Sequence, residues 1–406
     1  MEVRDGPQET TPSQSVIMSK RTKKFVRRFI RGFASGLALY SGFKTVTALT
    51  KNPFRRGLPL IPGQILSSDC VRFSTFLGLY PSVYHLAVDL LKKYRGINDG
   101  WNYGLAGGMA GLTIIVDDHS RRSVVALFAV ARALGAGVST LVTRQLLRKV
   151  PYSETMAFCL CCGFLVYCTA LRPSVLAKGY YHSILKWSRD YTNAKLDLLF
   201  RLPSDHFISC QEGGLHADSC TRHAFWDFLC SISSFAKLYF PIHVTPIVIF
   251  RRHLIVEKPK VVILSLLRNL VMSSAFLSTM VMLAKYVICL QRNFIRKPPP
   301  LPPFVPIVAG FVCGLGVLFE RESRRKELAL FLVPHSLHAL YNMEVKSKVK
   351  VLSRIPHGYV ILYSMSMMVI MHAYERQPES LTPLINGLLR FFVGRRKVDC
   401  KKAKQA

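Results

Sequence analysis

One segment of the chain occurs twice, and this repetition decides the fold. Gly111-Leu-Thr-Ile-Ile-Val-Asp-Asp-His-Ser-Arg-Arg-Ser-Val-Val-Ala-Leu-Phe128 has a counterpart in Gly314-Leu-Gly-Val-Leu-Phe-Glu-Arg-Glu-Ser-Arg-Arg-Lys-Glu-Leu-Ala-Leu-Phe331, at an offset of 203 residues from Gly111 to Gly314. Ser-Arg-Arg and Ala-Leu-Phe occupy the same positions in both copies. An internal match of this length indicates a duplicated structural unit.

Apolar runs extend from both copies through most of the chain. The hydrophobic set makes up 50% of the residues and charged residues only 19%, and a helix needs about 20 apolar residues to cross a hydrocarbon core. The sequence therefore predicts an all-α fold, a polytopic membrane helical bundle with two repeated units of four to five membrane segments each. The expected eight to ten spans come from residues 29–49, 71–91, 103–116, 123–142, 157–171, 225–250, 261–290, 304–319, 328–341 and 358–373.

Polar stretches between the apolar runs predict the domain boundaries. Pro7 and Pro12 and the absence of an apolar stretch predict a disordered basic lead-in over residues 1–24. The remaining predicted parts are a first membrane unit (25–203), a linker that carries cysteine and histidine (204–224), a second membrane unit (225–395) and a basic tail (396–406).

The net charge of +32 points to an anionic partner. The lysines and arginines flank apolar runs, which favours lipid headgroups as the partner and argues against nucleic acid. Seven cations between Lys20 and Arg31 directly precede the first apolar run. Two interpretations of this cluster stay open, an address for an organelle membrane and ordinary contact with headgroups.

Glycines spaced four residues apart lie on one face of a helix in each copy. Such faces let helix backbones approach closely in lipid. The predicted helix-packing residues are Gly104, Gly107, Gly108 and Gly111 in the first copy and Gly310 and Gly314 in the second. A phosphate-binding loop is excluded, because a preceding strand and the Gly-Lys-Ser/Thr ending are both missing.

Ionisable residues within apolar runs are costly in a membrane and are therefore candidates for function. Arg132 and His335 lie 203 residues apart, at the same depth of the two copies, with His338 one turn further on. Together with Asp89, a candidate partner of Arg132, they form a predicted polar intramembrane site at the interface of the repeats. The alternative is a set of cations that reach the membrane surface, or a buried structural ion pair.

The predicted linker contains four residues that bind soft metals, Cys210, His216, Cys220 and His223. Zinc accepts a Cys2His2 set, but the paired Cys-x2-Cys spacing of a zinc finger is missing. We therefore predict no metal and no cofactor, and keep these four residues as a weak candidate site. No nucleophile motif, HExxH motif or Walker motif occurs in the sequence, so we predict that the chain is not an enzyme.

Several short motifs resemble a known family. Arg31-Gly-Phe-Ala-Ser-Gly-Leu-Ala-Leu-Tyr40 is similar to the opening of small peroxisomal members of the inner-membrane translocase (Tim) superfamily. Three motifs resemble the C-terminal half of the transmembrane protein 135 family, namely Phe76-Leu-Gly-Leu-Tyr-Pro-Ser-Val-Tyr84, Ala106-Gly-Gly-Met-Ala-Gly-Leu112 and Thr169-Ala-Leu-Arg-Pro-Ser174. Glu320-Arg-Glu-Ser-Arg-Arg325 resembles a loop in the first half of that family. His216-x3-Cys220 resembles the N-terminal cysteine-rich segment of that family. In this chain, however, the unit that carries this segment is the second of the two.

The resemblance implies a multi-pass protein of the peroxisomal membrane, with the mitochondrial inner membrane as the alternative. It implies a role in organelle organisation and in lipid or metabolite handling, and it brings no catalytic residues. The expected partners are membrane lipids, a second copy of the chain or peroxisome-biogenesis proteins. The competing hypothesis from the residues is a carrier or channel, with a pathway at the interface of the two repeats.

Overall fold

The computed structural model describes residues 14–51, 67–148, 150–250, 257, 259–346 and 357–394. Every regular element within these residues is helical, which confirms the all-α prediction. The α-helices are α1 (Gln14–Lys51), α2 (Ser68–Arg95), α3 (Gly100–Gly111), α4 (His119–Thr143), α5 (Ser153–Leu171), α6 (Lys178–Ser188), α7 (Asn193–Phe200), α8 (Cys220–Phe250), α9 (Pro259–Ile295), α10 (Phe304–Gly314), α11 (Glu322–Lys346), α12 (Gly358–Arg376) and α13 (Pro383–Phe392).

Helix α1 begins at Gln14, within the stretch for which the sequence predicted disorder. Residues 14–31 contain neither proline nor glycine, so nothing in them interrupts a helix that continues into the apolar run. The expected lead-in up to residue 13 and the expected basic tail over residues 396–406 lie outside the described residues.

The chain forms two compact units, and neither corresponds to a half of the sequence. Unit 1 consists of residues 1–147 and 357–406, and unit 2 consists of residues 148–356. Helix α5 packs on α10 and α11 in unit 2, whereas α12 packs on α3 and α4 in unit 1. The compact units therefore divide at residues 147/148 and 356/357 and not at the predicted linker 204–224, because α5, which follows α4, packs with helices of the second half of the sequence, and α12, which follows α11, packs with helices of the first half.

Corresponding helices of the two copies have matching lengths. Helices α4 and α11 both contain 25 residues, and α5 and α12 both contain 19. A five-residue 3-10 helix follows α3 and α10, at Leu112–Val116 and Leu315–Phe319. A three-residue 3-10 helix follows α5 and α12, at Pro173–Val175 and Pro378–Ser380.

Three helices among the described residues are long and apolar enough to cross a membrane, namely α4, α5 and α9. This number is below the expected eight to ten. The two glycine-bearing segments fall short because α3 has 12 residues and α10 has 11, a length of about 18 Å or less at 1.5 Å per residue, against a hydrocarbon core of about 30 Å. Length and composition thus indicate membrane association.

Capping residues set both ends of α2 and the start of α3, the helix that carries the first glycine face. The Ser67 side chain accepts a hydrogen bond from the backbone N–H of Cys70 and begins α2. Gly96, in the left-handed conformation with φ of 65°, ends α2 by donating to the carbonyl of Lys92. Asp99 then accepts from the backbone N–H of Asn102 and begins α3.

Candidate functional site

The glycine face of α3 lies against α12 in unit 1. A Cβ added at Gly107 would lie 2.6 Å from the Met371 Cβ, and one added at Gly111 would lie 2.7 Å from the Ser364 Cα. At Gly104 the nearest atom would be a carbonyl oxygen at 3.2 Å, and at Gly108 the nearest atom would be at 3.5 Å, an ordinary contact. The closest approach of the two backbones therefore lies at Gly107 and Gly111.

The second glycine face has the same role in unit 2. A Cβ added at Gly310 would lie 2.5 Å from the carbonyl oxygen of Cys162, and one added at Gly314 would lie 2.7 Å from the Cys159 Cα. The facing helix α5 contributes a glycine of its own, because the added atom at Gly310 would also lie 2.7 Å from the Gly163 Cα. The two glycine faces therefore pack on corresponding helices. The face on α3 contacts α12, which follows α11 in the sequence, and the face on α10 contacts α5, which follows α4.

The predicted polar intramembrane residues belong to different compact units. Asp89 is exposed on α2, and its charge acts on Arg28. Arg132 donates a hydrogen bond to the Thr382 hydroxyl at 3.4 Å. Both lie in unit 1, whereas His335 and His338 lie in unit 2.

The two histidines of α11 pack within unit 2. The His335 ring stacks on Tyr180 with a centroid distance of 4.1 Å, and it meets the edge of Phe331. His338 lies 3.4 Å from the Asn342 amide, which also donates to the carbonyl oxygen of Val175 at 2.7 Å. The stack of His335 on Tyr180 therefore joins α11 to α6, whereas the described hydrogen-bond contact of His338 lies within α11.

The Ser-Arg-Arg motifs lie in the first turns of α4 and α11. Arg122 donates from Nε to the carbonyl of Asp117 at 2.9 Å, and Arg325 makes the matching bond to Glu320 at 2.9 Å. The Asp117 and Glu320 side chains are buried. The motif therefore closes the turn that follows each 3-10 helix.

The neighbouring arginine of each motif pairs with the buried carboxylate of its turn. Arg121 bridges Asp117 and Asp69, and its hydrogen bond holds the pKa of the Asp69 carboxyl below its ordinary value. In unit 2, Arg324 reaches Glu320 at 2.9 Å and the hydroxyl of Ser273 at 2.7 Å. The two turns are thus stabilised by the same kind of ion pair.

Unit 2 contains an apolar cavity of about 440 Å³ that is partly open to the surface. Small-molecule pockets usually measure roughly 300–1,000 Å³ and are mostly apolar. Aromatic and aliphatic side chains from α5, α6, α8, α9 and α11 form most of the wall, among them Phe158, Leu165, Ile184, Phe235, Leu277 and Phe331. The cavity cannot be predicted from local sequence patterns, because its wall comes from helices far apart in the chain.

One charged side chain lies in the wall of the cavity, and it is neutralised by a buried network. Lys285 Nζ lies 2.7 Å from the Asp190 carboxylate and 2.8 Å from the Asp227 carboxylate. Burial, the largest single influence, raises the pKa of the Asp190 carboxyl, but the hydrogen bond and the charge of Lys285, together with His223, outweigh burial and keep that pKa below its ordinary value. His223 approaches the same carboxylate at 3.4 Å.

The cysteine and histidine side chains of the predicted linker converge in unit 2. Cys210, His216, Cys220 and Cys289 place their ligand atoms within 4.8 Å of one another. The predicted fourth member, His223, does not belong to this group. It stacks on His216 with a centroid distance of 4.7 Å.

Local structure and helix packing together assemble this cluster. Gly214 adopts a φ of 59° and turns the chain between Cys210 and His216. Cys220 is the first residue of α8, and the packing of α8 on α9 brings it towards Cys289. Sequence spacing cannot reveal Cys289, which lies 69 positions after Cys220.

Comparison with known proteins returned no match to this chain among protein-family models, curated proteins or solved structures.

Proposed function

We propose that the chain is a non-enzymatic, polytopic membrane protein that binds the acyl chain of a lipid in the cavity of unit 2. The observation that carries the proposal is the chemistry of the wall, which is aromatic and aliphatic except for a few hydroxyls, thiols and the neutralised Lys285. An apolar wall favours a hydrocarbon ligand because it offers few hydrogen-bonding groups to replace the hydration that a polar ligand would lose.

A duplicated architecture of two Tim-like units is part of this proposal. The repeated Ser-Arg-Arg turn, the matching helix lengths and the two glycine faces support it. In this view the duplicated units have exchanged one helix. Helix α5, which follows α4 in the sequence, completes unit 2, and α12, which follows α11, completes unit 1. The resemblance to the transmembrane protein 135 family supports a place in the peroxisomal membrane, with the mitochondrial inner membrane as the alternative.

A carrier or channel for polar solutes is the competing function. Such a pathway is lined by backbone carbonyls or polar side chains that replace the hydration of the solute. The wall of the unit 2 cavity offers mostly carbon atoms instead. Lipid handling is therefore the function that the cavity supports better.

Photolabelling tests the lipid site directly. The full-length chain in membranes would be exposed to a long-chain fatty acid that carries a photoreactive diazirine, and the labelled peptides would be identified by mass spectrometry. We expect labels on α5, α6 and α9, and we expect unlabelled fatty acid to compete.

Two variants of α9 make this test specific. Ala284→Trp places a large ring in the cavity wall, whereas Leu264→Trp adds the same ring at a side chain that is 70% exposed. Labelling should fall strongly in Ala284→Trp and stay near the wild-type level in Leu264→Trp. Equal labelling of both variants would show that the label does not enter the cavity, and the proposal would be abandoned.

A further inference from the structure

The strongest unassigned feature of the molecule is the group of four side chains formed by Cys210, His216, Cys220 and Cys289, here called the Cys3His cluster. We propose that the Cys3His cluster binds one Zn²⁺ ion, which fixes the segment before α8 to helix α9. The proposal is independent of the lipid site, because none of the four residues lines the cavity.

The distances within the cluster suit a tetrahedral zinc centre. With Zn–S bonds of about 2.3 Å and Zn–N bonds of about 2.0–2.1 Å, two sulfurs around one zinc lie about 3.8 Å apart, and a sulfur and a nitrogen about 3.6 Å apart. The sulfurs of Cys210 and Cys220 lie 3.7 Å apart. Nε2 of His216 lies 3.7 Å from the sulfur of Cys289.

The orientation of His216 leaves the correct nitrogen for the metal. Its Nδ1 lies 2.7 Å from the carbonyl oxygen of Asp218. A carbonyl only accepts, so this contact places the imidazole proton on Nδ1. Nε2 then presents a lone pair to the three sulfurs, in the arrangement that an outer carbonyl gives to metal-binding histidines.

A buried cation beside the cluster supplies an independent argument. The Arg292 side chain is only 2% exposed, and one of its Nη groups donates to the sulfur of Cys210. Its Nε and other Nη have no hydrogen-bond partner among the described residues. A buried guanidinium needs a neighbouring negative charge, because desolvation of an unpaired charge is costly.

Zinc provides that negative charge. Three thiolates, one neutral imidazole and Zn²⁺ carry a net charge of about −1. Four neutral side chains would leave Arg292 without a counter-charge among the residues that the structure describes. Asn293 donates to the sulfur of Cys220 at 3.3 Å, so a second outer group also supports a thiolate in the cluster.

The site connects to the wall of the cavity through a chain of contacts. His223 stacks on the ligand His216 and approaches Asp190, which in turn pairs with Lys285. Lys285 and Cys289 lie one helical turn apart on α9. Zinc bound at the cluster would therefore fix the position of the ion-pair network as well as the segment before α8.

Metal analysis of the full-length protein tests the proposal. The chain purified in detergent, without chelators, should contain about one zinc per chain, and X-ray absorption should report three sulfurs and one nitrogen at the distances given above. After the zinc is removed, Co²⁺ alone should produce the intense visible bands of a tetrahedral thiolate complex.

Variants distinguish the four ligands from their neighbours. Cys210→Ser and Cys289→Ser should each reduce the zinc content severalfold. Cys230→Ser, on the same helix as Cys220, and His223→Ala should keep it. Loss of zinc in His223→Ala with retention in Cys289→Ser would refute the proposed ligand set.

The wild-type chain alone also gives a decisive result if the variants fail to fold. The proposal is overturned if it carries no zinc and takes up no Co²⁺ with a thiolate spectrum. It is equally overturned if non-reducing digestion recovers Cys210 and Cys220 joined by a disulfide.

Discussion

Gly310 packs so closely on Cys162 that a Cβ added to the glycine would lie 2.5 Å from the cysteine's carbonyl oxygen. A contact with backbone cannot be relieved by a side-chain rotation, so the helices α5 and α10 must separate to admit the extra atom. We expect Gly310→Ala to lower the free energy of unfolding by about 1–3 kcal/mol, the range for overpacked sites. Thermal unfolding of the purified chain in detergent measures the change.

Gly108→Ala and Gly137→Ala are matched controls for this prediction. At Gly108 the added atom meets its nearest neighbour at 3.5 Å, and at Gly137 it meets nothing within 4 Å. Alanine should therefore be tolerated there, and its better helix propensity of about 1 kcal/mol favours both variants. If Gly310→Ala is as stable as these two, the close packing of α5 and α10 is wrong.

The helices could largely be predicted from the sequence, but their partners could not. The repeat, the apolar runs and the glycine spacing predicted helices whose positions the structure reproduces closely, as at α3 and α10. The placement of α5 in unit 2 and of α12 in unit 1 could not be predicted in this way. Gly107 and Gly310 lie on similar small-residue surfaces. Periodicity alone does not specify which of the two similar helices, α5 or α12, packs on each surface.

Lys285 is expected to be a position in unit 2 where loss of charge is costly. Lys285→Met leaves the buried Asp227 carboxylate without its 2.8 Å partner and with only the more distant, partly exposed Arg189 at 3.6 Å as an ion-pair partner among the described residues. Removal of one partner of a buried ion pair typically costs about 3–5 kcal/mol. The control Lys260→Met lies on an exposed part of the same helix and should change stability by about 0.5 kcal/mol or less. Thermal unfolding of both variants should separate them clearly, and similar midpoints would contradict the prediction.

Asp190 should make stability depend on pH on the acid side. Its pKa in the folded chain is held below the ordinary value, so the carboxylate stabilises the fold at every pH above the ordinary pKa of about 3.9. This contribution is lost as the pH falls through the lower folded-state pKa.

The variant Asp190→Asn removes that contribution at neutral pH. We therefore expect it to be less stable than the wild type near neutral pH, and the difference should shrink below about pH 4. Midpoints of thermal unfolding across this pH range measure the convergence. Asp205→Asn, at an exposed carboxylate, serves as the control. A gap that stays constant as the pH falls would rule out a titrating Asp190 pair.

Only part of each candidate site could be predicted from local sequence spacing. Cys210, His216 and Cys220 were identified because they lie close together in the chain, and the structure places them in one cluster. Their fourth neighbour, Cys289, depends on the packing of α8 and α9, which no local spacing encodes. The cavity could not be predicted for the same reason, because residues such as Phe158 and Phe331 form one wall only after the helices have packed.

The last prediction concerns the basic segment at the start of α1. Seven cations lie there, Lys20, Arg21, Lys23, Lys24, Arg27, Arg28 and Arg31. Arg21, Lys23, Lys24, Arg27 and Arg31 are exposed on the helix, so a receptor or an anionic headgroup can reach them.

Headgroup contact alone is worth about 1 kcal/mol per cation near an anionic surface, and an address would act in addition to it. If the segment is an address for the proposed peroxisomal membrane, replacement of all seven cations by glutamine should redirect a tagged full-length chain to other membranes, as seen by imaging against peroxisomal and mitochondrial markers. The matched control replaces seven cations elsewhere, Lys92, Lys93, Arg144, Arg148, Lys186, Lys195 and Lys237, and should leave the location unchanged. Should the first variant stay in peroxisomes, the segment contributes headgroup contact only and the address must lie elsewhere in the chain.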